Sequence, residues 1–352
     1  MSKINKSAPI LVTGATGYVA GVLIKKLLLA GFTVHAAVRD PNNKQKTQYL
    51  DQIAKNSKGT VKYFATDLLI EGAYEQAMLG CELIFHTASP FQLTVSDPQK
   101  ELLDPAILGT KNILLQANKS KTVKRVVLTS SVAAIYGDNC DLKKVGKNGF
   151  TEQHWNTTSS LEHQAYAYSK TLAEQQAWEI NKQQNKWDLV VINPSLVIGP
   201  GINPFATSES FTLIKAIGDG TLKMGVPRWG MGVVDVREVA EAHFAAGFTD
   251  TAQGRYIVNA HNTDLFALSQ ALSDQFAKAY AIPKLLLPKW LVWFLGPFFD
   301  KKMTRKMIAK NVNFPWLADN TKSINELNVN YRPLQDSMND FFQQLVDNNY
   351  FK

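Results

Sequence analysis

The segment PILVTGATGYVAG, Pro9 to Gly21, restricts the fold more than any other stretch. A short β-branched run, Ile10–Thr13, leads into Gly14-x-x-Gly17, and a helical pattern with apolar residues three and four apart follows over Val22–Ala30. Glycine turns the backbone sharply and leaves its amides uncovered. The start of a helix adds N–H groups without partners and the positive end of a dipole. Strand, bare turn and helix in that order make a cradle for a pyrophosphate, and Ala20 is small enough for the helix to lie close on its strand. The plain alternative is a tight strand–helix connection; the context on both sides favours a dinucleotide.

The same alternation continues. Thr33–Val38, Val61–Phe64, Leu83–His86, Arg125–Thr129, Leu189–Ile192 and Arg255–Asn259 read as strands, and Ala106–Ala117 and Tyr166–Asn181 as helices. This predicts an α/β chain with a Rossmann-like, doubly wound parallel sheet. After Pro194 the run NPSLVIGPGINPF reads as loop, and from about Asn262 the pattern is mostly helical with proline interruptions. The expected division is a dinucleotide-binding domain over 8–194 that also receives strand 255–259. A smaller, mostly helical C-terminal substrate lobe, partly interwoven with it, takes 195–254 and 260–352.

Composition narrows the classes. With 45% apolar residues in 352, there is ample material for a core. Cys81 and Cys140 are the only cysteines, so neither a disulfide framework nor a zinc-type spacing can be written, and the six histidines show no metal-ligand spacing. No metal is expected, and a reducing, cytoplasmic setting is. The N-terminus has no long apolar run of the kind that marks a signal peptide. The net charge of +8 is scattered rather than gathered in a patch with aromatics, which argues against nucleic acid as a partner.

The second strand ends Val38-Arg39-Asp40, where the adenosine ribose of a dinucleotide should lie. Arg39 can grip a 2′-phosphate with its planar fork and Lys46 can add a second cation, which favours NADP(H) over NAD(H). The competing reading leaves Arg39 solvated and gives Asp40 the ribose. Asp67, after the third strand, can accept from an adenine amino group or can be a turn residue.

Tyr166-x-x-x-Lys170 lies in a helical run, so both residues share one face. An ammonium beside a phenol favours phenolate and lowers its pKa, which suits Tyr166 to give a proton to a carbonyl oxygen. Lys170 can also hold the nicotinamide ribose. A hydroxyl from Ser130 or Ser131, at the end of the fifth strand, would reach the same crevice and bond the substrate oxygen. The residue pattern alone does not separate the two serines.

The glycine spacing resembles the T-G-x-x-G-x-[IVL]-[GA] fingerprint of the extended short-chain dehydrogenase/reductases. RVVLTSS, YAYSKTLAEQQAWE, INPSLVIGPGI and GVVDVREVAEAH, with GCELIFHTASPF and VRDPNN, resemble the dihydroflavonol reductase and cinnamoyl-CoA reductase branch of that family. The resemblance runs from about Ile10 to Ala260. It implies a small-molecule carbonyl substrate, NADP(H), and Ser131, Tyr166 and Lys170 as the reacting group. It also implies a cofactor lining of Gly14, Thr16, Gly17, Tyr18, Val19, Arg39, Lys46, Asp67, Leu68, Ala88, Lys170, Pro194 and Val197.

The segment HQAYAY around the tyrosine departs from the cinnamoyl-CoA reductase signature, and SVAAIYGDN lacks the asparagine expected after the serines of flavonoid reductases. Pro105 stands near the place where many extended enzymes carry a helix asparagine. A general reductase of small or apolar aldehydes and ketones, monomeric or homodimeric, is the leading expectation. A nucleotide-sugar epimerase or dehydratase and a 3β-hydroxysteroid dehydrogenase-like enzyme are the alternatives, with a non-catalytic NADP(H)-sensing regulator behind them. His86 and His243 are expected to be packed structural residues. Leu285–Phe299, apolar and followed by basic residues, is expected to pack the substrate lobe and line its pocket with aromatics; the other reading is a helix lying on a membrane surface.

Overall fold

The computed structural model describes residues 3–89, 97–204, 208–300 and 303–351. Six strands come in order through the first half: β1 (Ile10–Thr13), β2 (Thr33–Val38), β3 (Thr60–Ala65), β4 (Leu83–His86), β5 (Arg125–Thr129) and β6 (Asp188–Pro194). Helices α1 (Tyr18–Leu29), α2 (Lys44–Lys55), α3 (Glu75–Met78), α4 (Asp104–Lys119) and α5 (Ala165–Lys182) connect them. The second half brings β7 (Leu196–Ile198), α6 (Glu209–Gly218), β8 (Val226–Pro227), β9 (Gly230–Asp235), α7 (Val236–Phe248), β10 (Gly254–Val258) and β11 (His261–Asp264). It continues with α8 (Leu265–Gln270), α9 (Asp274–Ala279), β12 (Leu286–Leu287), α10 (Lys289–Phe299), α11 (Arg305–Asn311), α12 (Thr321–Leu327) and α13 (Leu334–Asp347).

Seven strands form one sheet in the order β10-β6-β5-β4-β1-β2-β3, and every pairing is parallel. The inner parallel strands are covered on both faces and therefore read as apolar runs, which is why their centres were visible in sequence, whereas no residue of the edge strand β3 is buried. One face buries Val12, Val34 and Phe85 against Leu23, Ile24 and Leu27 of α1 and Val239, Ala242 and Ala246 of α7. The other buries Leu11, Ile84 and Val126 against Ile113 and Leu114 of α4 and Ala177 and Ile180 of α5. A separate core in the second lobe gathers Phe211, Ile214, Leu268, Phe341, Phe342 and Leu345.

Two local expectations differ from the fold. The stretch read as loop after Pro194 contains β7, which pairs with β9 at Leu196↔Val233, Val197↔Val234 and Ile198↔Asp235. Its three apolar residues find a partner more than thirty residues away, a pairing that local proline and glycine content conceals. Phe205, at the end of that stretch, lies outside the described residues. The second difference is α7, assigned by the expected division to the substrate lobe. Its apolar face lies instead in the sheet's own core beside α1. Helix α2 was not anticipated, because only Thr47 and Leu50 of its twelve residues are buried.

Candidate active site

The C-terminal ends of the parallel strands present the candidate residues along one edge of the sheet. After β1, Gly14 takes φ +62°, and a side chain there would place its Cβ 2.9 Å from the Cα of Ala88. Glycine is thus required both by the left-handed conformation and by the close approach of the chain after β4. The Thr13 hydroxyl fixes that approach: it accepts the Ala88 amide at 3.0 Å and lies 2.9 Å from Nδ1 of His86. Burial, with the charge of Lys170 adding to it, pushes His86 down to about 3, so its imidazole is neutral and structural. His243 is likewise buried, 2.7 Å from both the Thr129 hydroxyl and the Val239 carbonyl, and is pushed down to about 4 by burial.

Gly17 is the N-cap of α1 and has extended backbone; no side chain caps it and no acidic residue stands in the first turn. The amides of the first turn, Tyr18 and Val19 among them, have no carbonyl acceptor within the helix and suit an incoming phosphate. Thr16 is half-buried beside them. The Tyr18 side chain serves another purpose. Its phenol donates to the Gly199 carbonyl, and its ring packs edge-on to Phe211 at 5.4 Å and against Phe341 at 6.2 Å. Only its backbone remains for the cofactor.

Arg39 and Lys46 are exposed at the end of β2 and in the first turn of α2, and neither is in an ion pair among the described residues. Asp40 is occupied, its Oδ1 accepting the Asn42 amide at 2.9 Å. These groups fit a 2′-phosphorylated dinucleotide: two uncommitted cations stand where a ribose carboxylate would otherwise be needed. Asp67 accepts the Leu69 amide at 2.9 Å in a turn. Leu68 packs on Gly109, and its carbonyl receives Nδ2 of Asn112 at 2.9 Å. Pro194 is buried at the end of β6 and Val197 is half-buried in β7. Among the described residues no group of three or more His, Cys, Asp or Glu could hold a metal ion.

The structure separates the two serines. Ser130 is buried, and its hydroxyl donates to Oε2 of Glu174 at 2.5 Å. Ser131 accepts the Ala133 amide at 3.1 Å, capping a 3-10 turn at Val132–Ala134, and its hydroxyl acts on Tyr166. Tyr166 is 47% exposed at the start of α5, and the Nζ of Lys170 lies 5.9 Å from its ring centroid. Ser131, Tyr166 and Lys170 are therefore neighbours.

The expected lowering of the phenol does not occur. Desolvation among its neighbours raises Tyr166 to about 12, with Ser131 pulling it back and the Glu209 carboxylate pushing it up. The ammonium of Lys170 instead donates to Ser89 Oγ at 2.9 Å. Burial lowers Lys170 to about 8, opposed by Glu174.

Two buried hubs behind the site were missed in sequence. Glu174, on the face of α5 that carries Tyr166 and Lys170, accepts from Ser130, from Asn193 Nδ2 at 2.8 Å and from Arg255 Nε at 2.6 Å. It ties α5 to the ends of β5 and β6 and to β10. The continuation Tyr166-x-x-x-Lys170-x-x-x-Glu174 was the available signal. Asp138, fully buried, takes His163 Nε2 at 2.8 Å, Asn311 Nδ2 at 2.8 Å and Lys310 Nζ at 3.0 Å. It anchors the segment just before Tyr166, where Gln164 adopts φ +62°, to α11 of the second lobe. No local pattern marks a cluster assembled from residues up to 173 positions apart.

A parallel sheet whose first strand ends in a bare glycine turn, with a serine, a tyrosine and a lysine gathered on the same edge, defines an oxidoreductase of the Rossmann class. Within that class, the chain belongs to the NAD dependent epimerase/dehydratase family, whose profile matches residues 10–259, and to its branch of dihydroflavonol and cinnamoyl-CoA reductases. It is 40% identical over 259 residues to cinnamoyl-CoA reductase CAD2 of Medicago truncatula, covering 73% of this chain and 77% of that one. It is 33% identical over 346 residues to tetraketide alpha-pyrone reductase 1 of Arabidopsis thaliana, covering 97% and 96%. The crystal structure of yeast methylglyoxal/isovaleraldehyde reductase Gre2 complexed with NADPH superposes with a TM-score of 0.78 at 25% identity, covering 98% of this chain and 100% of that one.

Proposed function

We propose that this NADP-dependent oxidoreductase reduces small or apolar aldehydes and ketones, with Tyr166 as the proton donor. The observation that carries the reading is the meeting of Ser131, Tyr166 and Lys170 on the strand edge that also bears the Gly14 turn, Arg39 and Lys46. NADPH, when bound, supplies the hydride. The α1 amides would hold its pyrophosphate, Arg39 and Lys46 its 2′-phosphate, and Lys170 the nicotinamide ribose.

The chain's own residues supply the acid chemistry. A phenol held at about 12 is fully protonated at neutral pH and so always carries the proton it must give. It remains a far stronger acid than the alcohol being formed, so the transfer runs downhill. Ser131, near enough to Tyr166 to pull its phenol down, can donate to the same substrate oxygen as negative charge develops. Lys170 places a positive charge next to that centre.

The test is Tyr166→Phe, assayed on a panel of aldehydes and ketones by NADPH and NADH absorbance. Turnover should fall by about 10²–10⁴-fold with NADPH binding retained. Retained turnover in that variant, or wild-type turnover with NADH alone, would overturn the assignment.

A further inference from the structure

Sixteen large apolar side chains are markedly exposed among the described residues, and eight of them fall within 285–299: Leu285, Leu286, Trp290, Trp293, Phe294, Leu295, Phe298 and Phe299. Of helix α10 only Val292 and Gly296 are buried, the latter lying against Ile308 of α11. Trp290, Phe294 and Phe298, four apart, make a stripe on its outer side and are 70%, 57% and 76% exposed. These three aromatics thus face outward rather than into the core of the lobe. A shallow cavity of about 730 Å³ between α10 and α11, lined by Pro288, Trp290, Trp293, Ala309 and neighbours, includes none of Ser131, Tyr166 and Lys170. A contiguous apolar surface of this kind marks a place of attachment.

Charge identifies what attaches. From Leu285 to Lys306 the sequence carries five Lys or Arg against one acid, Asp300. The Arg305 guanidinium lies 4.9 Å from the centroid of the Trp293 ring, so cation and aromatic face share one surface. Lys306 is exposed beside it. A second copy pairing through this same face would bring two basic surfaces together with only Asp300 of each to offset them. A bilayer of anionic lipid satisfies both features at once: tryptophan and phenylalanine enter the headgroup boundary while the cations meet phosphates. No described helix is long and apolar enough to cross a membrane, so attachment would be to one leaflet. We infer that α10 and the basic start of α11 form a docking face for an anionic membrane surface. This does not depend on the reductase reading.

The experiment is co-sedimentation of the full chain with vesicles of phosphatidylcholine and with vesicles of phosphatidylcholine and phosphatidylglycerol in equal parts. Partition should be at least about tenfold stronger onto the anionic vesicles, with a blue shift of tryptophan emission. Trp290→Ser/Phe294→Ser/Phe298→Ser should abolish it, and Arg305→Glu/Lys306→Glu should remove the preference for anionic lipid. NADPH binding checks that each variant is folded; if the triple variant fails that check, the charge-reversal variant decides alone. Wild-type protein remaining in the supernatant with both vesicles would overturn the inference. So would variants that pellet like wild type, or a wild-type dimer that the triple variant converts to monomer without any vesicle binding.

Discussion

Glu174→Gln tests the buried scaffold behind Tyr166 and Lys170. The Glu174 side chain is fully buried and that of Arg255 is 7% exposed, with Nε and Oε1 2.6 Å apart. Removing one partner of a buried ion pair typically costs about 3–5 kcal/mol, because the other charge is left uncompensated. Arg255 would keep its bonds to the carbonyls of Glu152 and His154, at 3.0 and 2.6 Å, and its place over Trp155, which points to the lower end, about 3 kcal/mol. The amide of glutamine would also turn a donor toward Ser130 or Asn193, both of which already donate here. At an unfolding entropy of about 2.1 cal/mol/K per residue, that loss lowers the melting temperature by about 4 °C.

A second readout concerns Lys170, which Glu174 holds up against the effect of burial. Without that charge the ammonium should be lost at lower pH, and the alkaline limb of the kcat/KM profile should move acidward. The companion variant Arg255→Met removes the cation, and the double variant should recover about 2 kcal/mol of the summed single costs. Strictly additive costs, or a melting temperature within about 1 °C of wild type, would refute the hub.

Four further outcomes are expected. Arg39→Ala should raise the KM for NADPH by about ten- to a hundredfold while leaving NADH kinetics nearly unchanged, the size of a lost charge-assisted hydrogen bond; equal effects on both cofactors would contradict the 2′-phosphate role. Gly14→Ala should weaken NADPH binding, measured by fluorescence titration, by more than about tenfold, since its Cβ would meet Ala88 backbone at 2.9 Å in a left-handed conformation. Ser131→Ala should lower kcat, whereas Ser130→Ala should act mainly on stability in a thermal melt. For pH, Lys170 is charged below about 8 and neutral above it, so kcat/KM for reduction should decline as pH rises through that value. The same depressed folded-state value means that the fold disfavours the ammonium, so its destabilising contribution should be relieved between about 8 and the unfolded value near 10.4.

What sequence could reveal follows from the range of the interactions involved. Four strands, Ile10–Thr13, Thr33–Val38, Leu83–His86 and Arg125–Thr129, match residue for residue because a doubly covered parallel strand must be apolar along its length. Tyr166 and Lys170 were visible because a helix writes its shared face at a spacing of four. The serine pair was ambiguous because both stand at the same strand end; only the tertiary position of Glu174 decides that Ser130 turns inward. Tyr18 was read as a cofactor contact from its place in the family's glycine turn, while Phe211 and Phe341, which claim its ring, lie far along the chain. The upward shift of Tyr166 was invisible because desolvation depends on packing that no motif encodes. The direction faced by Trp290, Phe294 and Phe298 was hidden for the same reason, since an apolar helix reads alike whether it faces protein or not.

Strand β10 carries a consequence for engineering. The chain leaves the sheet at Pro194, builds β7 to β9 and α7, and returns to lay Gly254–Val258 beside β6. Arg255, the partner of Glu174, comes back with it. A truncation at residue 194 would strip the outermost ribbon from the sheet and orphan an anion in its interior. Chimaeras that exchange the segments on either side of β10 between relatives therefore need three junctions, one after Pro194 and one at each end of the returning strand, rather than a single splice.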